Sequence, residues 1–191
     1  MLAREVEPVH FFRLPCIPFL RYNKILIMKQ LSILYKTNEH TSGLIMRITL
    51  ASVMLPHGCQ LLFGWFGGMG FSASMDYFTQ AEGLPWVVGC MVILLQSLGS
   101  LFILAGFLSR FFAFAMTCLF IGMVVTSHWH HGFFMNWMGN QGGEGFEFHV
   151  LAIGLSLGLL ASGSGAYSID ASLTKKRDSE KLSFDFANIY Q

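Results

Sequence analysis

His57 and Gln60 lie in the stretch Arg47 to Phe71, and from Arg47 to Asp76 the chain has no formal charge in between. An imidazole or a carboxamide inside such an apolar segment is costly unless it finds a hydrogen-bond partner or a wet cavity. Gln96 sits near the middle of a second uncharged run, Leu84 to Leu108, and Glu147 with His149 opens a further one. His57 is nine residues from Phe66, roughly 13 Å along a helix, and Gln96 is twelve from Leu84, roughly 18 Å. The two are therefore expected to meet at mid-depth, beside a helix weakened at Pro56, whose missing amide frees the carbonyl of Ser52. Two uses follow. In one, His57, Gln96 and Glu147 orient a bound molecule and exchange protons with it, in a pocket lined by His57, Gln60, Trp65, Phe66 and Gln96 with Phe63 alongside. In the other, His57 and Gln96 bond to each other and hold two helices together, worth about 0.6–2 kcal/mol.

A second group, His128, His130 and His131 with Glu144, Glu147 and His149, has side-chain types that bind zinc, copper or iron. Its spacing matches no tight metal motif, and histidines beside Trp and Phe suit a membrane rim, so no metal is expected. Haem between two helices needs histidines at matching depth, and His57, His128 and His149 do not match. The cysteines Cys16, Cys59, Cys90 and Cys118 form no CxxC or CxxCH, so neither an iron-sulfur cluster nor covalent haem is expected.

The elements that must position these residues are set by hydropathy. With 53% hydrophobic and 12% charged residues and a mean hydropathy of +0.54, the chain is too apolar for an ordinary soluble domain of 191 residues. A hydrocarbon core about 30 Å thick takes roughly 20 helical residues to cross. Spans are expected at Leu44 to Phe66, Leu84 to Leu108, Phe111 to Ser127, and from Phe148 thinning through Gly163 to Ile169. Loops fall at Gly67 to Gly83 and His128 to Glu147. All twelve Lys and Arg residues cluster at one side of this pattern: Arg4 through Arg47, then Arg110, then Lys175, Lys176, Arg177 and Lys181. Cytoplasmic retention of basic residues then places both termini inside. The result is an all-α transmembrane four-helix bundle (43–170) between a polar cytoplasmic arm (1–42) and a cytoplasmic tail (171–191). No secretory signal is apparent in the arm, and Met28-Lys29-Gln30 would also serve as a start. Gly154 and Gly158 form a GxxxG pair for close packing, and the Phe-rich third span reads as lipid-facing bulk.

The element His57-Gly58-Cys59-Gln60-Leu61-Leu62-Phe63-Gly64-Trp65-Phe66-Gly67-Gly68, the second span ending LGSLFILAGFLSR, the GFF and GGEGFEF loop, and the closing GAYSID together resemble the DoxX family of small four-helix bacterial membrane proteins. The resemblance runs from about Leu44 to Asp170, with Leu61 standing where a Lys is common and Gln96 where an acidic residue is. It implies the membrane subunit of a quinone-linked oxidoreductase, or of a complex answering oxidative stress, in the bacterial inner membrane. Quinone would be its cofactor and a soluble redox enzyme its partner, with the lipid bilayer around it and no nucleic acid. Glu147 resembles the family's acidic residue at the head of the last span. Two other classes stay open: a non-catalytic scaffold that recruits partners through its basic ends, and a small transporter, against which the lack of broken half-helices speaks.

Overall fold

The computed structural model describes residues 32–37 and 39–189. Everything that follows lies in the compact unit that begins at Leu34. Most of the expected arm, its alternative start at Met28 and Cys16 lie outside the described residues.

Among the described residues the chain is all-α, without strands. Helix α1 spans Thr41–Phe63 and runs unbroken through Pro56. It stops at Gly64, whose φ of +73° is the left-handed conformation that glycine adopts freely, and whose amide bonds back to the carbonyl of Gln60 at 3.2 Å. The expected loop after it proves largely helical. Helix α2, Gly70–Asp76, continues into a π-helical turn, Tyr77–Ala81, because Ser74 and Met75 bury against the neighbouring helices.

Helix α3 covers Trp86–Ala105 and α4 covers Ser109–His131. Each contains a π-helical turn, Leu95–Gly99 in α3 and Val124–His128 in α4. Helix α4 thus reaches past its expected end at Ser127 and carries His128 on helical backbone. Helix α5 is Glu147–Ser162, and α6 is Ile169–Ile189, so most of the expected tail is helical too.

Three helices, α1, α3 and α4, are long and apolar enough to cross a membrane, and α5 is a shorter apolar helix. Leu50, Ala51 and Met54 of α1, Val92 and Ile103 of α3, Ala113, Met116 and Phe120 of α4, and Ala152 and Leu159 of α5 meet in one core. Around it, Ile45, Leu98, Phe111, Phe114, Ile121 and Leu151 point outward. In water that inversion would expose a large apolar surface, whereas in lipid the tails are as apolar as the side chains. Close packing must then hold the helices, and the small residues show where. A Cβ on Gly58 would lie 2.3 Å from the carbonyl oxygen of Gln96 and 2.5 Å from the Cα of Ser97. Backbone meets backbone there. Of the GxxxG pair, Gly158 abuts Met46 while Gly154 faces open space, so only one of the two packs inside the molecule. The Phe-rich segment likewise divides: Phe111 and Phe114 are exposed and Phe120 is fully buried.

The helices alternate in direction, so the molecule has an arginine end and a histidine end. At the arginine end Arg47 is only 4% exposed and donates to the carbonyls of Leu104, Ala166 (3.1 Å) and Tyr167 (2.6 Å). Asp170, 1% exposed, accepts from the amides of Leu108 (2.9 Å) and Ser109 (3.0 Å), which open α4. Its charge also acts on Arg47. Burial pushes the Asp170 carboxyl above the ordinary aspartate range, against the pull of those two amides. Arg110 donates to Lys36 and Leu160 carbonyls at 3.1 and 2.7 Å. Arg47 was expected as a charge at the membrane boundary. It is instead a buried cross-brace joining α1, the end of α3 and the segment before α6.

Candidate functional site

The sequence-selected residues do not converge. His57 is exposed on α1, and it is its neighbour Gly58 that faces α3. Gln96 is 4% exposed and lies in the π-helical turn of α3, with no bond to His57. Successive helix positions point about 100° apart. With Gly58 wedged against the Gln96 backbone, His57 is turned away from it. Gln60 donates to the carbonyl of Phe66 at 3.4 Å and closes the turn after α1. Trp65 and Phe66 are both exposed and pair edge-on, 6.5 Å between ring centroids, as aromatic residues do at a membrane interface. Glu147 accepts from the Met135 amide (3.1 Å) and the Trp137 indole (3.3 Å), pinning the preceding loop over the start of α5. The loop's backbone reinforces this through Phe146 to Gly132 (3.1 Å) and Glu147 to Phe133 (2.8 Å).

What does converge is the histidine end. The π-helical turns at Tyr77–Ala81 and Val124–His128 flank a cavity of about 490 Å3 between α2, α3 and α4. Such turns widen a helix by one residue and recur at functional sites. The walls are apolar: Phe78, Leu84, Val88, Val92, Leu119 and Met123. The polar lining is Tyr77, Glu82, Thr126, Ser127, His128, His131 and Glu144. Glu82 accepts from the Tyr77 hydroxyl and, at 2.9 Å, from the Ser127 hydroxyl, tying α2 to α4 across the cavity. The bond to Glu82, followed by burial and the carboxylate's charge, raises the Tyr77 phenol above its ordinary value.

His128 bonds through Nδ1 to the carbonyl of Glu144 at 2.8 Å. Its ring lies 4.2 Å from that of His149, tilted 41°. His149 is 4% exposed, packs edge-on to Phe120 and Phe148, and leaves Nδ1 without a partner among the described residues. The sequence places this histidine group at a membrane rim, whereas here it borders the cavity. Tyr77, Glu82 and Ser127 were missed. Acidic Glu82 between two apolar segments was the available signal.

Among the described residues no three His, Cys, Asp or Glu side chains gather to hold a metal ion, and Cys59, Cys90 and Cys118 are free thiols, Cys118 on the cavity wall.

Three bilayer-length apolar helices, an outward-facing apolar surface and a polar-lined cavity at one helix end define a helical integral membrane protein. A family model described as DoxX matches residues 42–129, from the start of α1 into the histidine end of α4, so this part of the chain is similar to that family. The match takes in His57, Gln60, Trp65, Phe66, Gln96 and His128, and ends before Glu144, Glu147, His149 and Asp170. No curated protein and no solved structure matches the chain.

Proposed function

We propose that this protein is the membrane subunit of a quinone-linked oxidoreductase, four helices crossing the bacterial inner membrane with both ends in the cytoplasm and the histidine end outward. The orientation is supported by charge. Lys36, Arg47, Arg110, Lys175, Lys176, Arg177 and Lys181 lie at the arginine end, while Asp76, Glu82, Glu144 and Glu147 lie at the other. Helix α5, with 16 residues, reaches about 24 Å, a shortfall that local thinning of the bilayer accommodates.

The observation that carries the quinone reading is the cavity. Its volume of about 490 Å3 falls within the range of small-molecule sites, roughly 300–1,000 Å3, and apolar walls with a few convergent polar groups are their usual lining. A quinone presents a flat apolar ring and two carbonyl acceptors. The hydroxyl protons of Ser127 and Thr126 are already given to Glu82 and to the Gly122 carbonyl, so the imidazoles of His128 and His131 are the groups left to bond such a head, and the apolar wall suits its lipid-like tail. The bound quinone would supply the two-electron chemistry, with electrons from a soluble partner enzyme. This chain orients the ring, excludes water and exchanges protons at the polar lining. Glu147 acts in this scheme by positioning the loop that carries Glu144.

Binding of short-chain ubiquinone and menaquinone analogues to the full-length protein in nanodiscs tests this. Gly122 lines the cavity with open space at its Cβ, so Gly122→Phe fills the cavity without a backbone clash. It is expected to weaken binding at least tenfold, about 1.4 kcal/mol, while His57→Phe leaves it within about twofold, since His57 lies outside the cavity. The opposite result, binding lost with His57→Phe and kept with Gly122→Phe, would move the site back to α1.

One feature favours a scaffold instead. Helix α6 exposes Lys176 and Lys181 away from the core, beside Lys175, which pairs with Glu39, a surface suited to recruiting an acidic enzyme. Co-purification of a partner that survives Gly122→Phe, with no quinone bound by the wild type, would establish that alternative.

A further inference from the structure

His128 meets two groups that constrain it, the Glu144 carbonyl and the His149 ring. A backbone carbonyl only accepts, so the 2.8 Å contact with Glu144 requires a proton on Nδ1 of His128. The nitrogen left for a ligand is Nε2. In the neutral ring that nitrogen is an acceptor, and it becomes a donor only when the ring takes up a second proton. Behind it sits His149, 4.2 Å away and buried. Two positive rings at that separation repel strongly where water is scarce, so the pair holds one extra proton at most.

We propose, resting on the quinone reading of the cavity, that His128 discriminates the oxidation state of the bound head by hydrogen-bond polarity. A quinone carbonyl is an acceptor and binds with uptake of one proton onto His128. A quinol hydroxyl both donates and accepts, and binds the neutral ring as it stands. His149 serves as the neutral backing that keeps the second charge off the pair.

The other groups facing this site set the background against which the proton is taken up. His131 ends α4, Glu144 comes from the segment after it, Tyr77 opens the π-helical turn that follows α2, and Glu82 comes just after that turn. The entry to α3 contributes only Leu84, Val88 and Val92. Glu82 and Glu144 are the carboxylates among them, and none of these groups carries a fixed positive charge.

Two measurements on the full-length protein in nanodiscs test the inference. The first is the Kd of a short-chain benzoquinone and of its quinol between pH 5.5 and 8. Toward the alkaline end of that range the quinone Kd is expected to rise about tenfold per pH unit, because binding takes up one proton, while the quinol Kd changes by less than about threefold. His128→Gln offers an uncharged donor, so quinone binding should persist and lose its pH slope, whereas in His131→Gln the slope should remain. A pH-independent quinone Kd in the wild type, a slope that survives His128→Gln, or a slope abolished by His131→Gln overturns the inference. The second measurement is the 15N spectrum of the histidines without ligand, in which His128 should show the Nδ1-protonated tautomer. Finding the Nε2 tautomer overturns the inference and leaves the quinone reading standing. Failure of both ligand forms to bind at every pH overturns both.

Discussion

Replacing Gly58 with valine separates α1 from α3 and costs roughly 3 kcal/mol or more, the upper part of the range for overpacking a close-packed interior. The reason is geometric. Even the first carbon of a side chain would sit 2.3 Å from the carbonyl oxygen of Gln96, 2.4 Å from its carbonyl carbon and 2.5 Å from the Cα of Ser97. Ordinary van der Waals contact begins near 3.4 Å, and these are backbone atoms of a helix that cannot rotate aside. The whole of α1 would have to retreat by about 1 Å, and the contacts that Leu50, Ala51 and Met54 make in the shared core would loosen with it. The control is Gly154→Val, whose Cβ meets nothing within 4 Å and which should shift stability by no more than about 0.5 kcal/mol. Thermal unfolding of the two variants in the same detergent separates them. Equal melting temperatures for Gly58→Val and the wild type would mean that the two helices do not approach as described.

Asp170→Ala is expected to be as damaging, by about 3–5 kcal/mol. It strips the acceptor from the amides of half-buried Leu108 and fully buried Ser109 at the start of α4, and removes the negative charge that acts on buried Arg47. The same junction binds Gly106, whose φ is +67° and where a Cβ would lie 2.3 Å from the Cβ of Ser168, so the local backbone has no slack with which to find new partners. Asp170→Asn keeps one acceptor oxygen and should lose about half as much. Arg47→Met removes the donors to Leu104, Ala166 and Tyr167. Because both side chains brace one junction, the double variant Arg47→Met with Asp170→Asn should lose less than the sum of the two single losses, by roughly 0.5–3 kcal/mol. Strict additivity would show that the two act independently.

The histidine end illustrates what could be read early and what could not. His128, His131, Glu144 and His149 drew attention through residue type alone. His128 reads as the start of a rim loop because the apolar run ends at Ser127, whereas a π-helical turn carries α4 through His128. Similarly, a Gly- and Phe-rich stretch between two spans read as loop, and burial of Ser74 and Met75 made it helix α2. Glu82 then gained two donors from different elements, Tyr77 and Ser127. No local pattern announces such a bond, since its two ends are 45 residues apart.

The sequence by itself determined the class of molecule: uncharged apolar runs must bond their backbone internally in lipid, which makes them helices, and basic residues gathered at one side give those helices a polarity. It also determined which residue types are costly inside a membrane. Only the tertiary structure decided which of them face one another. His57 and Gly58 are neighbours in the chain but point about 100° apart on the helix, and rotation of α1 about its axis, set by its packing against α3, turned the glycine inward and the histidine out. Sequence spacing fixes depth along a helix. Azimuth is chosen by the partner helix, and with it the place where a cavity opens.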